Sequence, residues 1–208
     1  MIRFYARGYV LGLLIVAILL IATHLCLYAW HYAEDEVPWL ILQLFDLDEE
    51  NNLPSWFSSF LLLNNAAVVY LLQQHKDQYL VQWKLIAIGF LILSIDEVAG
   101  LHESFHTAIN FHWVIAAAAL IGIVFALFVP FMYSMERRLL VLYVVSAALF
   151  LGGALGVEYL ARDMEEEMFD YALATSIEEG MEMLGALLFL NTNLRELRQL
   201  PETSLVIA

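Results

Sequence analysis

The chain has 208 residues, 62% of them hydrophobic, with a mean hydropathy of +0.74 and a formal net charge of −14. That apolar share stands well above the ~45–50% of soluble domains, and almost no chain is left over for a soluble domain. The excess of acid repels nucleic acid and anionic headgroups, and the single cysteine, Cys26, excludes an intramolecular disulfide and thiolate metal clusters.

Apolar runs of about the 20 residues that cross a bilayer recur at 8–30, 56–73, 83–107, 113–133, 139–161 and 169–193. The expected fold is all-α: a polytopic bundle of six transmembrane helices forming a single domain over 1–208. Arg3 and Arg7 before the first run also suit a signal peptide, but the apolar stretch continues to Trp30 without a small-residue cleavage pattern. It is therefore read as a helix, carrying His24 and Cys26.

The connection after it is the longest. Within "VPWLILQLFDLDEENNLPSWF" the apolar piece 37–45 is too short to span, so an interfacial helix or re-entrant turn is expected, with Trp39 and Trp56 at headgroup level. Pro54 suits the first turn of the second span, where its missing N–H costs nothing. Asn64 and Asn65 lie further along that span. The connection is read either as a lid over an outward-opening site or as a plain interfacial connector.

The third span runs into "SIDEVAGLHESFH", 94–106, which carries two carboxylates, then a His-Glu pair, then another His. On one helix, Asp96, Glu103 and His106 share a broad face, with the small Ala99 and Gly100 between them. Glu103 and His106 have the Glu-x-x-His spacing with which di-iron carboxylate bundles place two ligands on a metal pair. Glu97 and His102 point elsewhere and need separate partners. Glu158 follows in the fifth span, in "GGALGVEYL", and Glu178, Glu179 and Glu182 in the sixth, in "SIEEGMEMLG". "SIDE" and "SIEE" are also a faint echo three spans apart, compatible with inverted repeats or with chance.

Eight of the nine basic residues fall at one end of such a bundle, Arg162 being the exception, which predicts cytoplasmic termini. The motifs "FDLDEENNLPSWFSSFLLL" and "LSIDEVAGLHE" resemble segments of uncharacterised bacterial multi-pass membrane proteins. The resemblance implies a bacterial inner-membrane location with membrane lipids as neighbours, and it brings no activity with it.

Counting along the helices places Asp96 and residues 178–182 roughly 13–18 Å below the outer surface, and Glu103, His106 and Glu158 within about 8 Å of it. Seven carboxylates in three spans, with no lysine or arginine in any span core, demand an offset. Each charge at mid-membrane costs about 2.5–3.5 kcal/mol. Protons would neutralise the acids by holding them as carboxyls, whereas carboxylate with imidazole suits iron, manganese or zinc. The metal set read from the sequence is Asp96, Glu103, His106, Glu158, Glu178 and Glu182, with Glu97, His102, Glu179, His24 and Asn64 as further candidates. Three functions follow: a divalent-metal membrane protein, with a two-metal enzyme for a lipid-like or small apolar substrate as its sharpest form; a metal-cation or proton transporter; and an accessory subunit whose carboxyls only fix helix packing.

Overall fold

Ala6–Ala33 forms α1, 28 residues that are apolar on every side. Leu13, Ala17 and His24 are buried, whereas Leu11, Ile18 and Leu19 are 56%, 55% and 60% exposed. A helix with no polar face and outward-facing Leu and Ile suits a hydrocarbon surround. The computed structural model describes residues 3–33, 36–100, 113–164, 168–199 and 206–207. Within them the chain is all-helical apart from a two-residue parallel pairing of Arg3–Phe4 with Val206–Ile207.

After α1 comes α2 (Trp39–Phe45), with no buried residue and with Trp39 and Leu40 projecting outward. It occupies the stretch expected at the interface. The chain then turns through Asn51, in the left-handed region at φ 59°, into α3 (Leu53–Gln73). Asn52 starts α3 with a reciprocal cap. Its side chain accepts from the Ser55 N–H, the Ser55 hydroxyl accepts from the Asn52 N–H, and Pro54 fills the first turn as expected.

Next follow α4 (Leu80–Ala99), α5 (Trp113–Tyr133), α6 (Arg137–Ala161) and α7 (Phe169–Arg198). α6 contains a π-helical segment, Gly152–Val157. α7 is the central element, packing on α1, α3 and α6, while α4 leans mainly on α3. Leu61, Leu62, Met183, Leu187 and Leu190 fill the main core between these helices. Glycines set the α6–α7 separation: a Cβ on Gly153 would lie 2.5 Å from the Glu178 carbonyl oxygen, and one on Gly185 2.6 Å from the Phe150 nitrogen. Only hydrogen in place of a side chain lets the two backbones meet.

α1, α3 and α6 are long and apolar enough to cross a membrane. This is a membrane protein. α4 carries Lys84 in its first turns and Asp96 and Glu97 in its last, and α7 carries Glu178, Glu179 and Glu182 in mid-sequence.

One expectation needs correction. The third span was to continue as a helix to 107, but α4 ends at Ala99. Gly100 adopts the left-handed conformation (φ 55°, ψ 41°) and returns its N–H to the Asp96 carbonyl at 2.8 Å. A left-handed glycine is a common helix stop, and a Cβ here would collide with the Glu50 carboxylate. The common face read for Asp96, Glu103 and His106 assumed an uninterrupted helix through Gly100. Glu103, His106 and His102 themselves lie outside the described residues.

Candidate functional site

Five glutamates from three helices meet at one end of the bundle. Glu178, Glu179 and Glu182 occupy successive positions of a single turn of α7 and its sequel, so their side chains fan around one side of that helix. Glu158 comes from α6, directly after the π segment, and stands within hydrogen-bonding reach of Glu178. Glu97 comes from α4 and stands close enough to Glu179 and Glu182 to interact with both. Glu182 also senses Glu158, and Asp48 from the α2–α3 connection acts on Glu178 and Glu179.

The π turn helps to bring this about. It adds a residue to α6 just ahead of Glu158, whose N–H reaches back to the Gly153 carbonyl. Such expanded turns frequently mark functional positions. Gly153 lies against the 178–182 turn itself, with the Glu182 Cγ 2.9 Å from where a Cβ would stand. Beneath the acids a small cavity of about 10 Å³ is lined by Ser58, Leu61, Leu62, Glu97, Phe150, Glu182, Met183 and Ala186. The buried Ser58 hydroxyl finds no hydrogen-bond partner among the described residues. Arg162, the single lysine or arginine at this end, turns away to the Tyr159 ring, 3.9 Å from its centroid, and to Asp163 at 3.2 Å.

A second polar group adjoins the first. His24 of α1, only 1% exposed, accepts the Leu47 N–H on Nδ1 at 3.1 Å. That bond places the ring proton on Nε2, so the 3.4 Å approach of Nδ1 to Asp46 is a contact of a neutral ring. Asp46 receives the Tyr28 hydroxyl and the Asp48 N–H, and Asn52 donates to the Gln43 and Asp46 carbonyls at 3.0 and 2.6 Å. Tyr171 at the start of α7 donates to Asp48 at 3.0 Å. Leu47, 5% exposed, is driven into the core between them. The connection is thus fastened to α1 and α7 over the bundle end.

Of the residues selected from the sequence, Glu158, Glu178 and Glu182 come together, joined by Glu179. From α4 it is Glu97 that faces them, where the helical count selects Asp96 and turns Glu97 away. α6 and α7 are direct neighbours. α4 instead meets α7 mainly through side chains, such as Phe90 on Phe189 with ring centroids 4.9 Å apart. His24 belongs to the fastening of the connection. Asn64 accepts from Tyr9 at 2.6 Å and ties α3 to α1. Asp48 also joins this end, and no signal in the sequence singles it out from Glu49 or Glu50. The π turn did leave a signal, the glycines of "GGALG".

Among the described residues no three His, Cys, Asp or Glu side chains are arranged to hold a metal ion. As they stand, the five glutamates do not form a ligand sphere, and the Glu103–His106 pair lies outside the described residues.

A family described as "Domain of unknown function (DUF8692)" matches residues 12–197. The chain belongs to it. The DUF8692 match spans every helix from α1 to α7. No curated protein and no solved structure matches the chain.

Proposed function

We propose that this DUF8692 protein is a six-span protein of a bacterial inner membrane, with both termini cytoplasmic, that binds cations at its glutamate cluster in the outer leaflet. The observation that carries the reading is the meeting of Glu158 and Glu178. Two carboxyl groups within hydrogen-bonding reach can share a bond only with a proton between them, which supports a site that takes up cations, protons first. A divalent metal, iron, manganese or zinc, would displace those protons. Glu97, Glu158, Glu178, Glu179 and Glu182 would turn inward to receive it, and Glu103 with His106 would complete the set with the nitrogen ligand that such metals favour. A metal bound there would supply Lewis-acid or oxygen chemistry to a lipid-like substrate arriving sideways from the bilayer.

Proton transfer through the membrane is the second reading. It is favoured by the cavity that reaches Ser58 between Glu97 and Glu182. Its volume of about 10 Å³ is close to the minimum that admits one water, and such a water would extend the carboxyls' hydrogen bonding downward.

Elemental analysis of gently purified protein separates these readings. Stoichiometric iron, manganese or zinc, lost on Glu178→Gln and on Glu103→Ala but kept on Glu49→Ala, is the expected result. A metal-free preparation whose melting is indifferent to chelator would remove the metal reading and leave protons. Proton uptake by reconstituted vesicles that Glu182→Gln leaves untouched would remove the transfer reading as well, and the carboxyls would then serve packing alone.

A further inference from the structure

At the end of the bundle away from the glutamates, a cavity of about 380 Å³ opens between the α3–α4 turn, the α5–α6 turn and the last turns of α7. That volume falls in the range of about 300–1,000 Å³ typical of small-molecule sites. Its walls are aromatic and fixed. Trp83 and Phe131 meet edge to face at 5.1 Å, Tyr79 stands 5.5 Å from Phe131, and Trp83 lies 6.3 Å from Tyr143. Trp83 and Phe131 are 6% and 4% exposed, and the Tyr143 hydroxyl donates to Asn193 at 3.0 Å. Tyr79 itself is held in the left-handed region at φ 55°. Bulky residues rarely adopt that conformation, and such local strain gathers at ligand sites.

The charges on the lining say what would fit. Asp77, Glu136 and Glu196 contribute three carboxylates against one lysine, Lys76, so an anion is disfavoured. Lys76 places its ammonium 5.6 Å from the centre of the Trp83 ring and 3.8 Å from the Glu196 carboxylate. An ammonium over an aromatic face, with a carboxylate at its side, is how proteins receive ammonium ligands. Here the chain's own side chain sits in that position. It comes from a turn and is still part-exposed to solvent, so it can swing clear.

We propose that this cavity binds an organic ammonium ion, which displaces the Lys76 ammonium from Trp83 and Glu196. The same chemistry is presented by an amine-bearing lipid headgroup and by a free alkylamine. The site is independent of the glutamate cluster and of any metal there.

Calorimetric titration of full-length protein in a neutral detergent tests it, with ethylammonium and tetramethylammonium chloride as ligands and sodium phosphate as the anion control. Saturable ammonium binding is expected, tightened about tenfold by Lys76→Met, which vacates the position, and weakened about tenfold by Glu196→Gln. Trp83→Phe keeps a ring in the wall and should weaken binding by a smaller factor, so the proposal stays testable if Glu196→Gln misfolds. Competition by short-chain phosphatidylethanolamine at lower concentration than the free amines assigns the lipid source; the reverse order assigns a soluble amine. Absence of saturable ammonium binding in the Lys76→Met variant overturns the proposal. So does phosphate binding that Lys76→Met abolishes, since Lys76 would then be a ligand contact and not a tenant.

Discussion

The residues that fasten the α2–α3 connection and the glutamates beside them lie at the same end of the bundle, and both remove polar atoms from solvent. Around His24, Asp46 and Asn52, donors and acceptors alternate: Leu47 gives to His24, Tyr28 and Asp48 to Asp46, and Asn52 to two carbonyls while exchanging bonds with Ser55. Glu97, Glu158, Glu178, Glu179 and Glu182 are chemically alike, and ionised carboxylates only accept. The first group is paired within the chain except at the His24 Nε2, which finds no partner among the described residues. The second needs protons or a metal between its members, which makes it the region that responds to what surrounds the protein.

The largest test of that contrast is Asn52→Ala. It removes a helix cap worth about 1 kcal/mol and strands the Gln43 and Asp46 carbonyls, so the whole loss should reach about 2–4 kcal/mol. Thermal unfolding in detergent should show the drop with no metal or chelator added. If the midpoint stays where it is, the connection is not fastened as described.

Gly153→Ala comes next. Its Cβ would meet the Glu178 carbonyl oxygen at 2.5 Å, and a backbone atom cannot swing aside as a side-chain tip can. Forcing the two helices apart should cost about 1–3 kcal/mol, and it should also weaken any cation binding by the acids. Stability lost with cation binding intact would separate the α6–α7 contact from the cluster.

Glu178→Gln should have the smallest effect on stability, within about 0.5 kcal/mol of neutral. The amide is a fixed imitation of a protonated carboxyl and can still donate to Glu158. A loss as large as that of Asn52→Ala would mean the cluster is as fully partnered as its neighbour, and the contrast would fail.

The membrane-protein class and most helix positions were legible because they depend on local composition. α2 falls within 37–45, and Pro54 sits in the first turn of α3, since an apolar stretch too short to span and a proline after polar residues act through their immediate neighbours. The glutamates of α6 and α7 were legible as a group because few positions in an apolar span carry acid. What was not legible depends on contacts distant in sequence. Nothing in "DEVAGLHE" shows that Gly100 will receive Glu50, which comes from a connection fifty residues earlier. Whether Asp96 or Glu97 faces α7 depends on how α4 is rotated on α3, and a helical wheel fixes only the angle between the two. The partner that fixes His24, the Leu47 amide, comes from 23 residues further on, beyond the reach of any local pattern.

The expanded turn at Gly152–Val157 has a consequence for how α6 tolerates changes of length. In a helix of 3.6 residues per turn an added residue would rotate everything beyond it by about 100°, whereas the wider turn takes the extra residue up locally and leaves the flanks on either side in register. Deleting one residue from 152–157 should therefore restore an ordinary α-helix that still carries Glu158 toward Glu178, with only the widening beside Gly153 lost. A residue added or removed within 137–151 has no such outlet and would move Glu158 to another flank. In this family, length variation confined to 152–157 would keep the meeting with Glu178, and variation just ahead of it would not.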